Sequence, residues 1–552
     1  MEVFPPWVWD IPPRFNIGVA CTDAHLGTTV ADREAVVVDD DFRGVSALSY
    51  RELAEQTTRF ATALHLLGCG KGDRVLVRLP NCLAYPVVFL GALKRGAIPV
   101  PTSTQLTADE LRFIAEDSAA AVLVTDRESW DALRVALASC LPLRHVLVRD
   151  ARGATTSGRL AVHDLEALLA AAAPPVPPED TAADEAAYLV YTSGTTGYPK
   201  GVLHAHRALL GRQPASEYWF DFLPGGDRVL HAGKYNWTYT LGTGLMDPLY
   251  RGHTTIVHEG RTDAARWPAR IARHHATTFI AVPTVYRQIL ERTAATRADV
   301  PTLRHCMSAG EPLPPEVLET WRTRFGQDIY EGLGMTECSY YICQSRRRPI
   351  RPGAAGFVQP GHDVRILDPE TLEEVPIGAE GMLCVRRDDP NLLLRYWNRD
   401  EETAAAFRGE WFLTGDWARK DADGYIWFLG RRDDIIKSFG YRVSPHEVDR
   451  VLCEHPDIVD AGTTGEEIAP GKVLVVSYVV PRPDSGLTAD EVLAWSRHHL
   501  AAYKAPRVVY LVEELPRTRN GKLQRMALRP ALARARASAG SGGPADPGMS
   551  LG

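Results

Sequence analysis

The chain is 552 residues long, with 24% charged and 45% hydrophobic residues and a formal net charge of -7. It is too long for one ordinary core, so one large domain of several lobes plus a smaller one is expected. The charge leaves no broad electrostatic footprint for nucleic acid or an acidic membrane.

Nine cysteines, from Cys21 to Cys453, are scattered without CxxC spacing. That argues against a zinc site or a disulfide scaffold and fits a reducing compartment. No basic N-terminus followed by an apolar run occurs, and no apolar stretch approaches the length that crosses a bilayer, so a cytoplasmic protein is expected. Lysine is scarce, nine against 53 arginines, which makes each lysine inside a motif more noticeable.

From Arg74 to Asp150, short apolar runs (Val75 to Leu79, Ala97 to Val100, Ala120 to Thr125, His145 to Val148) alternate with helix-like segments such as Ala84 to Arg95 and Thr107 to Asp117. Such alternation predicts βαβ units and a parallel sheet. A proline-rich connector, Ala173 to Asp180, leads to an apolar run, Ala187 to Val190, and then to YTSGTTGYPKG at Tyr191 to Gly201. With Val202 to Leu210 read as helix-like, this is a strand, loop, helix arrangement whose loop N–H groups and helix N-terminus can face an anion. Thr192, Ser193, Thr195 and Thr196 add hydroxyls, Gly194 and Gly197 let backbone approach closely, and Lys200 supplies a cation. The spacing does not fit the nucleoside-triphosphatase phosphate loop, which needs GxxxxGK followed by Ser or Thr.

A second βα series follows, with Thr254 to His258, Thr278 to Val282 and a helix from Val285 to Arg292. Gly356 to Trp427 reads as a β-rich lobe with an Asp423-Gly424 turn between strands. After Arg431 the pattern becomes a compact α+β unit: helices at Ser444 to His455 and Thr488 to Leu500, strands around Val473 to Val480 and Val508 to Val512. The expected organisation is therefore α/β, with a multi-lobed N-terminal domain over 1–432, a small α+β C-terminal domain over 433–536, and a tail over 537–552 too poor in apolar residues to fold.

YTSGTTGYPKG resembles the phosphate-binding loop of the adenylate-forming superfamily, which includes acyl-CoA synthetases, carrier-protein adenylation domains and luciferases. Further segments resemble that family in the same order, over roughly residues 45 to 530. EGLGMTE, Glu331 to Glu337, resembles the second nucleotide motif; the resemblance implies that Glu331, Gly332, Leu333, Gly334, Met335 and Thr336 line the nucleotide, with Thr336 on phosphate and Glu337 holding Mg2+, for which a hard oxygen ligand is suited. SAGEP, Ser308 to Pro312, resembles the segment lining the adenine and acyl pockets, implying roles for Ala309, Gly310, Glu311 and Pro312. TGD at Thr414 to Asp416 resembles the ribose motif, with Asp416 accepting from both sugar hydroxyls, Phe428 packing near the nucleotide and Arg431 adding a polar contact. The spacing from Asp416 to Arg431 strengthens an otherwise weak motif.

The same resemblance makes Asp433 the hinge of a mobile C-terminal domain that presents two faces in two half-reactions. One face carries Lys522, in PRTRNGKLQR, which implies a cation on the α-phosphate that stabilises charge developing at phosphorus. The other carries SFGYR, where Ser438, Gly440, Tyr441 and Arg442, with Lys437 beside them, would border the thiol channel. Phe439 departs from the small residue expected there.

The implied chemistry is ordered: an acid attacks the α-phosphorus of ATP, pyrophosphate leaves, and the thiol of coenzyme A displaces AMP. Acetate-activating relatives place a tryptophan two residues before the Thr-Glu pair; here that residue is Gly334, which leaves room for a larger acid. Tyr235, Trp237, Tyr239 and Gly242 fall on the family's substrate-lining segment, with the three aromatics as core side chains the alternative. The segment as a whole most resembles benzoate and medium-chain acyl-CoA ligases, so a bulky aryl, alicyclic or medium-chain acid is expected. A free-standing enzyme loading a carrier protein and a catalytically silent nucleotide-binding homologue are the alternatives, the latter opposed by intact Glu337, Asp416 and Lys522. A monomer or homodimer without nucleic-acid or membrane partners is expected.

Overall fold

In the computed structural model, the described residues are 4–151, 159–171, 173–192, 199–261, 263–431, 434, 436–438, 441–469, 472–500, 504–517, 523–525 and 527–528. They divide into two compact units, one made of Met1–Arg365, Cys384–Leu413 and Asp423–Ile426, the other of Ile366–Leu383, Thr414–Ala422 and Trp427–Gly552.

The first unit holds the βα series. A five-stranded parallel sheet runs, in spatial order, Ile98–Pro101, Arg74–Arg78, Val122–Asp126, His145–Arg149 and Ala161–Asp164. Its central strands are buried along almost their whole length, as expected where helices cover both faces. The helices begin where their sequences provide caps: Ser49 and Glu52 close a reciprocal box at Tyr50–Leu66, and Thr107 and Glu110 do so at Ala108–Asp117.

The larger sheet has nine strands, ordered Phe357–Val358, Ile342–Cys343, Ile329–Leu333, His305–Ala309, Thr278–Ile280, Arg228–His231, Thr254–Glu259, Glu34–Asp40 and Gly44–Ser49. Pairing is parallel from Ile329–Leu333 through Glu34–Asp40 and antiparallel at both edges. Strands His305–Ala309 and Ile329–Leu333 therefore end side by side, with Ala309 opposite Gly332. This brings SAGEP and EGLGMTE, whose facing residues Ala309 and Gly332 are 23 positions apart in the chain, to one sheet end.

One expected element is different. Val202 to Leu210 is not a helix: Lys200–Ala205 is a strand that turns back antiparallel on Ala186–Thr192, pairing Thr192 with Lys200 and Val190 with Val202, and only Ala208–Gly211 is helical. Val202, Leu203 and Ala205 are all buried in that hairpin. A short apolar run carries no period of its own, and here the sheet pairing decides. Lys200 thus opens a strand and does not lie at a helix N-terminus.

The second unit contains a three-stranded sheet, Ile458–Ala469, Lys472–Pro481 and Val508–Leu511, packed with helices Pro445–Cys453 and Ala489–His499 around Val448, Leu452, Val475, Val479 and Val492. Ser444 and the Thr488–Glu491 box cap those helices. A hairpin, Ile436–Ser438 with Tyr441–Val443, pairs Ser438 with Tyr441.

Candidate active site

In the first unit, the hairpin whose strands flank the glycine-rich segment meets the second nucleotide motif. Lys200 Nζ lies 3.1 Å from Glu402 and 4.6 Å from the centre of the Tyr396 ring. The Tyr396 hydroxyl donates to Glu337 Oε1 at 2.8 Å, and Glu337 is 9% exposed. A lysine and a carboxylate that are 137 positions apart thus share one tyrosine. Strand Arg395–Tyr396 reaches them by pairing with Lys200–Ala205. No ion pair engages Glu337 among the described residues.

The backbone of this motif is held from both sides. Leu393 N–H donates to Glu337 O at 2.8 Å, and His204 Nε2 sits 2.8 Å from Thr336 O. The His204 ring stacks on Tyr188 at 4.8 Å. Burial drives the His204 pKa down to about 3, so the ring is a neutral donor to that carbonyl.

At the adjoining strand end, Thr284 Oγ1 donates to Glu311 Oε2 at 2.9 Å. Burial pushes the Glu331 carboxyl up to about 8, against a hydrogen bond from the Leu313 backbone. Gly310 has φ +90, and a Cβ there would lie 3.1 Å from the Trp237 ring. Trp237 stands edge-on to Tyr239, centroids 5.2 Å apart, and both pack with Ala309 and Tyr340. The buried Tyr239 hydroxyl and Ser308 Oγ have no hydrogen-bond partner among the described residues. Tyr235 is not part of this group. It is fully buried in another cluster, and its carbonyl accepts from Tyr85 Oη at 3.1 Å.

Tyr340 carries no motif signature, yet it touches two residues expected in the acyl pocket. A Cβ on Gly242 would lie 2.8 Å from the Tyr340 hydroxyl, and one on Gly334 would collide with the Tyr340 backbone N. The Tyr340 hydroxyl donates to Asp247, which Arg212 Nε meets at 3.1 Å. Burial pushes the Asp247 carboxyl up, against the Arg212 guanidinium.

In the second unit, Arg431 Nη1 donates to Asp416 Oδ1 at 2.9 Å and to Thr414 O at 3.0 Å, while Asp416 N–H donates to Thr414 Oγ1 at 3.0 Å. The TGD turn and Arg431 are thus one hydrogen-bonded set, with Asp416 only 4% exposed. The Phe428 ring lies 5.4 Å from His446. Ser438 Oγ donates to Val473 O at 2.8 Å, and the backbones of Lys437 and Arg442 pair across the hairpin.

Ser193, Gly194, Thr195, Thr196, Gly197, Asp433, Gly440 and Lys522 lie outside the described residues. The chain on either side of Lys522 is anchored. Arg517 pairs with Leu523 as a β-bridge and binds Asp460 at 2.6 Å. Arg525 binds Asp449 and donates to Thr463 O at 2.7 Å.

Comparisons with known proteins give the family. A family model described as AMP-binding enzyme matches residues 24–397, and one described as AMP-binding enzyme C-terminal domain matches residues 447–522. The chain is 34% identical to the benzoate–CoA ligase of Thauera aromatica over 94% of this chain and 97% of that protein. It is 32% identical to a 4-hydroxybenzoate–CoA/benzoate–CoA ligase of Rhodopseudomonas palustris over 88% and 89%. Among solved structures, a benzoate CoA ligase from Burkholderia xenovorans LB400 superposes with a TM-score of 0.81 at 32% identity, covering 93% of this chain and 100% of that one.

Proposed function

Because the chain belongs to the AMP-binding enzyme family, we propose that it is an ATP-dependent acid–thiol ligase that activates a bulky, preferably aryl, carboxylic acid as its acyl-adenylate and transfers the acyl group to coenzyme A. AMP and pyrophosphate are the other products. What supports the acid class is the aromatic packing of Trp237, Tyr239 and Tyr340 with Ala309, next to Gly334, together with chain-long similarity to benzoate ligases.

The roles follow from charge and position. The acid's carboxylate attacks the α-phosphorus, and the electron pair of the breaking bond leaves with pyrophosphate. Lys200, with the hydroxyls and N–H groups of the glycine-rich segment, binds that leaving group. Glu402 shares Lys200 in the free enzyme, so phosphate takes a cation already in place. Thr336 contacts the α-phosphate, and Lys522 stabilises the charge that grows there. Mg2+ suits Glu337, a hard oxygen donor held by a neutral tyrosine with no competing cation among the described residues; when bound, it neutralises phosphate charge. In the second half-reaction the CoA thiol attacks the acyl carbon, and AMP departs.

Asp416 takes the ribose hydroxyls, with Arg431 fixing the carboxylate. Asp416→Asn is expected to raise the KM for ATP roughly ten- to a hundredfold, the worth of one charge-assisted hydrogen bond, and to leave the KM for the acid nearly unchanged. Initial rates with each substrate varied in turn check this split. The acid class is tested by pyrophosphate release across a panel of acids. Benzoate and its ring-substituted analogues should outperform acetate and propionate; preference for acetate would overturn the assignment.

A further inference from the structure

In the first unit an N-terminal segment covers a buried ion pair that none of the roles above uses. Trp7 and Trp9 both pack on Gly361, where a Cβ would lie 2.8 Å from either ring. Trp9 Nε1 donates to Gly361 O at 3.1 Å, and its ring stands edge-on to His362, centroids 5.2 Å apart. His362 Nδ1 in turn lies 2.6 Å from Asp389 Oδ2, and the two side chains are 2% and 1% exposed.

The other carboxylate oxygen, Asp389 Oδ1, accepts from Asn391 N–H at 2.9 Å and closes a turn. Asparagine would close the same turn without a charge, and a buried ion pair adds little stability, because desolvation offsets the attraction. What the pair fixes is the turn that grips the second nucleotide motif. Asn391 Nδ2 donates to Ser339 O at 2.6 Å and Leu393 N–H to Glu337 O at 2.8 Å, so the carbonyls on either side of Cys338 are held from one turn. Further along, the Tyr396 hydroxyl takes the Glu337 side chain. The turn itself is fastened by Arg207, whose Nη1 donates to Pro390 O at 2.6 Å, and it lies so close to Gly211 that a Cβ there would be 2.5 Å from Asn391 N. Backbone and carboxylate of Glu337 are thus both held by the segment 389–396, and His362 with Asp389 is its buried anchor.

We propose that His362 and Asp389, covered by Trp9, are positioning residues that hold the 389–396 segment so that the Glu337 carboxylate faces the Mg2+ of bound ATP. The inference rests on the reading of Glu337 as the metal carboxylate. The pair acts through the chain that carries Leu393 and Tyr396, not on the metal directly. Loss of the His362 donor leaves a buried carboxylate short of a partner, and the turn that shifts to satisfy it carries both contacts to Glu337 with it.

The test is calorimetric binding of ATP to the full chain, without acid or CoA, once with Mg2+ and once with EDTA, alongside the melting midpoint. The ratio of the two affinities isolates the contribution of the metal. His362→Leu should lower that ratio roughly tenfold, the lower end of what loss of an orienting group costs a metal site, and leave the affinity in EDTA nearly unchanged. His362→Asn, which keeps a donor where Nδ1 stands, should restore most of it. A lower midpoint with the wild-type ratio in His362→Leu overturns the proposal, because a purely structural pair gives that result. Where His362→Leu fails to fold, Trp9→Ala carries the test: the ratio should fall by a smaller factor, and an unchanged ratio overturns the proposal. Glu337→Gln should lower the ratio at least as far as His362→Leu; a wild-type ratio there overturns the metal reading of Glu337 itself, and this proposal with it.

Discussion

Lys522→Ala is expected to lower acid-dependent pyrophosphate release by roughly 10²- to 10³-fold, the usual worth of one preorganised group aimed at developing transition-state charge. Thioester formation from supplied acyl-adenylate and CoA should remain near the wild-type rate. The effect is electrostatic. Attack by a carboxylate on the α-phosphate brings two anions together, and a cation there acts only while phosphorus is being substituted. If the C-terminal domain presents its other face in the second half-reaction, Lys522 is turned away when AMP departs from the acyl carbon and carries the electron pair with it.

The choice of Lys522 rests on its motif and on how the chain around it is held. Arg517 and Leu523 pair as a bridge, and Arg525, 7% exposed, is fastened to Asp449 and Thr463. Stopped-flow or coupled assays of the two half-reactions separate the effects. Undiminished pyrophosphate release in the variant would remove Lys522 from the first half-reaction.

The second large effect is loss of stability in mild acid. Burial lowers His204 and His231 to about 3 and His206 and His305 to about 4. The hydrogen bonds agree: His231 Nδ1 accepts from Gly233 N–H and His206 Nδ1 from Ile17 N–H, so neither nitrogen can take a proton without losing its donor. The unfolded chain protonates these rings near pH 6.5, whereas the folded chain does not do so until pH 3 to 4. Their contribution is therefore complete above about pH 6.5 and is lost as pH falls toward those folded values.

At pH 5 each ring costs roughly 2 kcal/mol. Glu331, raised to about 8, runs the other way, because its protonated folded form is favoured by acid. Between pH 7 and 5 it returns roughly 2 to 3 kcal/mol, and the raised Asp247 adds in the same direction. Against Glu331 alone, four rings at roughly 2 kcal/mol each leave a net loss of several kcal/mol, a large share of an ordinary stability margin. Calorimetry at pH 7 and pH 5 should show the midpoint of the first unit falling by about ten degrees. An unchanged midpoint would mean that these rings are protonated in the folded chain.

Much of this site was legible in the sequence because its parts are short and ordered. The pairing of Asp416 with Arg431 follows a fixed spacing within adjacent strands, and the structure joins them by one hydrogen bond. The parallel sheets were legible from buried apolar runs separated by capped helices. Val202 to Leu210 was misread because six apolar or neutral residues suit either a helix or a strand, and only pairing with Ala186–Thr192 settles it.

Tyr396 and Tyr340 were not legible at all. Each is a lone aromatic whose partners lie far along the chain: Glu337 is 59 positions from Tyr396, and Asp247 is 93 from Tyr340. Neither period nor spacing connects them. The cue for Tyr340 is conformational, a positive φ beside two glycines, and it exists only in three dimensions. Tyr235 shows the converse: it shares a segment with Trp237 and Tyr239, but the chain turns it into the core beside Tyr85.

If this chain makes an acyl-adenylate from an aryl acid and hands it to CoA, the adenylate forms before the thiol is needed. The most direct measurement is ATP–pyrophosphate exchange with benzoate as the acid, followed by product analysis after CoA is added. Benzoate-dependent exchange is expected without CoA, with equal amounts of AMP and benzoyl-CoA once the thiol is present. Formation of ADP in place of AMP, or exchange that does not depend on the acid, would contradict it.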